Sequence, residues 1–285
     1  MPKVMLKIKE IKAKSIITKT QLPEGDFVIN PYIGCMHGCI YCYARFMKRF
    51  TGHTEPWGAF VDAKINAADL IPTDVKKYKG KRITLSSVTD AYQPVELKYK
   101  LTRKILEKLI PLQPHVDIMT KSDLVLRDID VIKQFKDCVV AFSILTLNDA
   151  VRKELEPLTS PIKRRIAALE KIHKAGIPTI VFISPIFPEI TDWKEIINRT
   201  KTFVDEFWFE NLNLYPSIGK EINKFLKKYN PALIARYEQI YADGNYWVAE
   251  EQKIREFCKK NKINYKIYFH HKRRDSAHCA QHEKT

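Results

Sequence analysis

The sequence predicts an α/β fold built around a parallel sheet. Three observations predict it. From residue 26 onward, six strand-like runs alternate with helical ones, and such alternation implies βαβ units. The run 177–184 is apolar, as a strand covered on both faces has to be. A loop carrying three cysteines leaves the first strand-like run at its carboxyl end, the edge where parallel sheets hold their ligands.

Residues 1–25 read as a basic N-terminal extension with short strand character at 14–18. The first strand is expected at 26–32, directly before the cysteine loop, and a helix at 66–78. Residues 82–87 form the second strand and 98–110 the next helix. A third strand at 115–119 precedes a helix at 128–135, and a fourth lies at 139–145. Ser160 and Pro161 then fit an N-cap and first helical position. Ile162, Ile166, Leu169 and Ile172 recur at helical spacing, and Gly176 closes that helix as a left-handed residue. The fifth strand at 177–184, a helix at 191–203 and the sixth strand at 207–214 complete the core. Residues 220–260 are largely helical, and 264–269 form a last short strand. The expected division is a core at 26–215 followed by a helical, basic C-terminal extension at 216–285, with no internal repeat or low-complexity linker.

Composition narrows the function classes. A chain of 285 residues suffices for one large α/β domain or two small ones. At 45% hydrophobic residues it can bury a sizeable core, which excludes global disorder. No apolar run approaches the roughly 20 residues that span a bilayer, so no membrane partner is expected. The first ten residues lack the apolar centre of a signal peptide. Six cysteines, three of them clustered, point to a reducing cytoplasm and a metal site in place of disulfides. The net charge of +16 gathers at the ends: residues 1–20 hold six lysines and one acid, and residues 252–285 hold ten Lys/Arg against three acids. That balance favours a polyanionic partner such as nucleic acid. The alternative is a lysine-rich background composition with no bearing on partners.

The chemistry concentrates in Cys35, Cys39 and Cys42, spaced C-x3-C-x2-C in the run Gly-Cys-Met-His-Gly-Cys-Ile-Tyr-Cys. Three thiolates on one short loop can hold three irons of a [4Fe–4S] cube, whose usual complement is four cysteines. With no fourth cysteine nearby, one iron stays open for chemistry. Gly34 and Gly38 let the backbone turn close to such a cluster. A zinc site, with His37 as the fourth ligand, is the competing reading.

This spacing, with Tyr41 just before the third cysteine, resembles the signature of the radical S-adenosylmethionine (SAM) superfamily. The likeness runs on through Asn30-Pro31-Tyr32 to Arg45, Thr89-Asp90-Ala91-Tyr92-Gln93-Pro94-Val95-Glu96, Met119-Thr120-Lys121-Ser122-Asp123, Phe142-Ser143-Ile144, Glu156-Pro157, Ser160-Pro161, Arg164-Arg165 and Ser184-Pro185-Ile186. In that order these segments resemble the spore photoproduct lyase-like family over roughly 26–215. The resemblance implies a partial (β/α)6 TIM-like barrel. It also implies a [4Fe–4S] cluster on Cys35, Cys39 and Cys42 that reductively cleaves SAM to a 5′-deoxyadenosyl radical. It places Tyr41 and Tyr43 beside SAM, Lys121 at its carboxylate or ribose, Ser143 in contact with it and Ser184 near its adenine. Asp90 falls near a hydroxyl-bearing SAM contact, and Tyr43 is the candidate for a radical relay. An electron donor such as flavodoxin or ferredoxin is implied as a partner.

One departure stands out. The lyase's hydrogen-donating cysteine aligns with Val88, and Cys138 starts the fourth strand, at the wrong end of a barrel to replace it. Dimer repair by the lyase's cysteine mechanism is therefore not expected. The substrate readings are a nucleic acid, to be repaired or modified, or a peptide or small metabolite. A third reading is a non-catalytic nucleic-acid-binding protein with a structural metal.

Other residues read more plainly. Asp90 and Glu96 either bind SAM or cap the next helix. Cys138 and Cys258 read as core thiols, and Trp57, Trp193, Trp208 and Trp247 as packing more than as base-stacking platforms. Cys279 with His270, His271, His278 and His282 fits no familiar zinc spacing. Lys272-Arg273-Arg274 is a phosphate contact or a solvated run.

Overall fold

The computed structural model describes residues 6–23 and 25–269. The described chain opens with β1 (Lys7–Ile11), β2 (Ile17–Lys19), β3 (Phe27–Ile29), β4 (Tyr32–Ile33) and β5 (Phe60–Lys64). Alternation then sets in: α1 (Val75–Tyr78), β6 (Arg82–Leu85), α2 (Glu96–Tyr99), α3 (Leu101–Leu109), β7 (His115–Thr120), α4 (Ile129–Ile132), β8 (Cys138–Ser143) and α5 (Asp149–Leu155). It continues through α6 (Ile162–Lys174), β9 (Thr179–Ile186), α7 (Trp193–Thr200) and β10 (Glu206–Asn211). The helices α8 (Pro216–Tyr229), α9 (Ala232–Ala242) and α10 (Tyr246–Lys260) lead into β11 (Tyr265–Ile267).

The main sheet runs β11-β10-β9-β8-β7-β6-β3-β2. All its pairs are parallel except β2 with β3. The six central strands β3, β6, β7, β8, β9 and β10 lie in chain order, as in the expected partial (β/α)6 barrel. Period-2 alternation sorts their side chains. Ile83 and Leu85, Val116 and Ile118, Val140 and Phe142, Val181 and Ile183, and Phe207 and Phe209 face the helices and form the large core with Ile105, Leu169, Ile172 and Ile196. The opposite set, Val139, Ala141, Ile180 and Trp208, with Met119 and Phe182, packs on the inner side. Carried one step further along each strand, that inner set becomes Ser86, Lys121, Ser143, Ser184 and Glu210, all at the carboxyl ends.

Several elements depart from the sequence expectation. The helix expected at 66–78 is a 3-10 turn at Ala68–Leu70 and the separate α1. Pro72, which lacks the N–H a continuous helix needs, divides them. The first strand splits at Asn30-Pro31, so that β3 joins the main sheet and β4 joins a second one. That second sheet, β1-β5-β4, and the helix α5 are not apparent in the sequence pattern. Ser160 is not the cap of α6: Pro161 occupies that position, and the Ser160 hydroxyl instead donates to Asp123 Oδ1 at 2.5 Å. Gly176 does take the left-handed conformation, with φ 78°. Beyond the core, β11 pairs in parallel with β10 and so extends the main sheet.

Candidate active site

The cysteine loop begins where β4 ends, and β4 is held by antiparallel pairing to β5 (Tyr32↔Ala63, Ile33↔Asp62). Gly34 follows with φ +80°, and a Cβ there would lie 2.5 Å from Phe60 O. Only glycine fits that approach. Two tight turns then stack the cysteines: Gly38 N donates to Cys35 O (3.3 Å) and Cys42 N to Cys39 O (3.2 Å). Flanking segments fix the loop from both sides. Met36 N donates to Gln93 Oε1 (2.8 Å), Ile40 N to Leu155 O (2.9 Å), and Leu158 N to His37 O (3.3 Å).

Cys35, Cys39 and Cys42 open onto one cavity of about 340 Å³ at the carboxyl edge of the sheet. Tyr41, Tyr43, Asp90, Lys121, Ser143 and Ser184 line the same cavity. Every site residue expected from the sequence is thus brought together, drawn from the loop and from the ends of four strands. Val88 lines it too.

The surroundings of each side chain differ. Asp90 is buried, and protein groups take both its oxygens. Oδ1 accepts from Thr120 Oγ1 (2.8 Å) and Tyr92 N (2.8 Å), and Oδ2 from Lys121 N (2.9 Å). His37 Nδ1 lies 3.3 Å from Oδ2. Burial pushes this carboxyl up, but His37 and the hydrogen bonds outweigh it and hold the pKa at about 2. Asp90 therefore ties the cysteine loop to the ends of β6 and β7. Glu96 does not line the cavity. It is fully buried, bonded to Tyr32 and Thr102 N and paired with Arg127 at 2.6 Å.

Tyr41 donates its hydroxyl to Glu156, which is itself paired with Arg165. Both members of that pair are fully buried, and Arg165 also donates to Thr159 and to Ser143 O. Lys121 Nζ sits 5.9 Å from the centre of the Tyr41 ring. Burial pushes Lys121 down, yet the acidic groups beside it, the Glu156 and Asp90 carboxylates among them, hold it above its ordinary value, protonated. Tyr43 donates to Ser87 O, and Ser184 to Glu210 Oε2 at 2.5 Å.

The three thiols are held in the neutral form. Burial is the largest cause for each. For Cys35, Asp90 and the other two cysteines add to it; for Cys39, Glu156 adds and Lys121 opposes. Such a trio becomes thiolate when a cationic metal centre supplies the missing charge. Among the described residues no three His, Cys, Asp or Glu side chains converge as the ligands of a single ion would. A [4Fe–4S] cube takes each thiolate on its own iron. Buried donors without a partner also adjoin the site: Arg45 Nε, Trp57 Nε1 and Ser86 Oγ. The donor set fits an iron–sulfur cluster.

Sequence reasoning gave no role to Ser86, Glu156 or Arg165, and it offered His37 only as a fourth zinc ligand, whereas the structure sets its Nδ1 against Asp90. Glu156 and Arg165 stand inside quoted segments, where a buried ion pair has no local signal. Ser86 continues the inward alternation of Arg82 and Thr84, but its φ of 71° is a tertiary feature. Cys138 and Cys258 are buried in the core facing the helices, as expected, away from the cavity. Trp193 and Trp247 are core residues as well, whereas Trp208 lines the cavity. His270, His271, Lys272-Arg273-Arg274, His278, Cys279 and His282 lie outside the described residues. No helix among the described residues is long and apolar enough to cross a membrane.

Comparison with known proteins supplies independent bearings. The family model of the radical SAM superfamily matches residues 29–199. An uncharacterized protein of Methanocaldococcus jannaschii is 43% identical over 226 residues, covering 79% of this chain and 85% of its own. Among solved structures, spore photoproduct lyase in complex with a dinucleoside spore photoproduct superposes with TM-score 0.60 at 18% identity, over 78% of this chain and 67% of the lyase. Streptococcus suis SuiB bound to S-adenosylmethionine superposes with TM-score 0.53 at 14% identity, over 85% of this chain and 49% of SuiB.

Proposed function

Since the chain belongs to the radical SAM superfamily, we propose that it holds a [4Fe–4S] cluster on Cys35, Cys39 and Cys42, with S-adenosylmethionine beside it. The observation that carries this reading is the convergence of three neutral thiols, a protonated lysine and two tyrosines on one cavity. When bound, such a cluster supplies the electron that cleaves S-adenosylmethionine and yields a 5′-deoxyadenosyl radical, which abstracts hydrogen from a substrate.

The protein's part is binding, orientation and exclusion of water. Lys121 offers a fixed positive charge to the cofactor's carboxylate. Glu156 and Arg165 hold Tyr41 from behind, so that its ring forms a rigid wall under Lys121. Ser143 and Ser184 present hydroxyls from the ends of β8 and β9. Asp90, its oxygens already taken, acts through the groups it orients: His37, Thr120 and the backbone of Lys121. Tyr43 is the candidate for relaying a hydrogen atom, because among the described residues the cavity lining holds no thiol besides the three cysteines. Val88, where the lyase has its donor cysteine, offers none.

For the substrate we favour a nucleic acid. The net charge of +16 supports it, as does a solved structural neighbour that is complexed with a dinucleoside lesion. A peptide or small metabolite is the rival, and a one-electron donor of the flavodoxin or ferredoxin kind completes the cycle.

The test is anaerobic. The protein is reconstituted with iron and sulfide, reduced and given S-adenosylmethionine, and 5′-deoxyadenosine is measured beside iron content. A Cys35→Ala, Cys39→Ala, Cys42→Ala variant is the control. Close to four irons per chain and cysteine-dependent 5′-deoxyadenosine are expected. One zinc and no iron would sink the catalytic reading in favour of a structural metal.

A further inference from the structure

The segment between the cysteine loop and β5 lies against the loop through two glycines. A Cβ on Gly58, whose φ is +94°, would fall 2.8 Å from Gly38 Cα. Gly38 is the residue just before Cys39, so the backbone at 58 rests directly on the loop. The neighbouring Trp57 is set by this contact and by an edge-on packing on Phe60, with ring centres 5.9 Å apart and planes at 79°. Phe60 is also the residue against which Gly34 is pressed. One short segment thus packs on the start and the middle of the loop.

The indole of Trp57 has a single polar atom, Nε1–H, which can only donate. That atom is buried and finds no hydrogen-bond partner of normal geometry, a state that is costly when left unrelieved. The group it adjoins is the thiol of Cys42. Arg45, an electrostatic neighbour of the same thiol, holds at Nε a second buried N–H without a partner. Two orphaned donors beside one ligand sulfur have no purpose in a protein of neutral thiols. They have one when the sulfur is an electron-rich thiolate.

We propose that Trp57 is a positioning residue for the redox centre, donating its indole N–H to Cys42 Sγ and thereby raising the reduction potential of the cluster. The inference rests on the cluster assignment proposed above. Hydrogen bonds to cluster sulfurs are among the main determinants of potential, and groups behind the ligands tune a metal centre nearly as strongly as the ligands do. A donor to sulfur stabilises the more negative, reduced state. A reduced cluster is the state from which the cofactor receives its electron, so Trp57 widens the range of donors able to serve the enzyme.

The experiment replaces Trp57→Phe, which keeps a ring against Phe60 and removes the N–H. Potentiometric titration of the anaerobically reconstituted protein, read by the electron paramagnetic resonance of the reduced cluster, compares the two. We expect the ratio of reduced to oxidised cluster at fixed potential to fall about tenfold, which is about 59 mV for a one-electron couple. A second measurement avoids the variant altogether. Wild-type protein labelled with 15N-indole tryptophan is reduced and examined by pulsed electron paramagnetic resonance for a 15N coupling to the cluster. Presence of the coupling supports the proposal; its absence overturns it, as does a Trp57→Phe variant that titrates at the wild-type potential. A wild-type protein that loads no iron–sulfur chromophore is a different result: it defeats the cluster assignment and this inference with it.

Discussion

Lys121 stays protonated against its own burial because the acidic groups beside it, the Glu156 and Asp90 carboxylates among them, outweigh the loss of water. Its charge thus faces both the cysteines and the Tyr41 ring. Replacing Lys121→Met should weaken S-adenosylmethionine by about tenfold or more, the loss of one charge-assisted contact, with the fold intact. Equilibrium binding to the reconstituted protein measures it. The pair behind Tyr41 behaves differently. Glu156 and Arg165 are fully buried, so Arg165→Met leaves an uncompensated carboxylate and should cost about 3–5 kcal/mol in urea denaturation. Adding Glu156→Gln to that variant should recover part of the loss, since the orphaned charge goes with it. Asp117 sets a pH dependence. Burial pushes its carboxyl up, but hydrogen bonds from His115 and Arg82 outweigh it and depress its pKa. A depressed carboxylate adds stability that is present above the unfolded value, about 3.9, and is lost as pH falls through the lower folded one. Denaturation midpoints at pH 5 and pH 3 should therefore converge in Asp117→Asn.

The cysteine loop works as an element because β4 and β5 hold its first residue and the two flanking loops hold its middle. Gly34→Ala tests that arrangement. A Cβ there meets Phe60 O at 2.5 Å as well as a left-handed φ. It should cost roughly 1–3 kcal/mol and reduce iron loading per chain. Gly176→Ala shares the positive φ but finds no atom within 4 Å, so it should destabilise without changing iron content; metal analysis separates the two. The same contrast explains what was legible in the sequence. Strands β6 to β10 carry apolar residues on the face toward the helices, and that alternation is local. The run Lys-Ile-Lys-Glu-Ile of β1 is mostly exposed. It becomes a strand only by pairing with β5, Lys7 opposite Phe60, a contact too distant in sequence for a local pattern to signal. The same holds at the site. Three cysteines at fixed spacing announce themselves, as do the family segments carrying Lys121 and Ser143. The orphaned N–H of Trp57 and the buried Glu156–Arg165 pair exist only once loops from separate strands meet.

On the scale of the whole molecule, charge and architecture bear on the substrate together. A parallel sheet whose inner face ends in a cavity at one edge presents its chemistry to whatever lies across that edge. Over the full chain positive charges exceed negative ones by sixteen. Part of the basic surface is already engaged: Lys7 pairs with Glu55, Lys228 with Glu154 and Arg255 with Glu251. Of these, Lys228 with Glu154 is exposed on both sides, and a pair of that kind holds its partner weakly, at about 0–1 kcal/mol, so a phosphate can compete for it. If the substrate is a polynucleotide, binding must release counterions in proportion to the phosphates neutralised. The logarithm of affinity then falls linearly with the logarithm of salt concentration, by about 0.7 per phosphate for a single strand and 0.9 for duplex. Titration of fluorescent single-stranded and duplex oligonucleotides between low and physiological salt should give slopes steeper than about −3, the mark of four or more phosphate contacts. The slope also separates the substrate readings, since a peptide or small metabolite held inside the cavity leaves affinity nearly flat in salt. A flat response to salt, together with 5′-deoxyadenosine formation that oligonucleotides do not accelerate, would move the substrate from nucleic acid to a ligand small enough for the cavity.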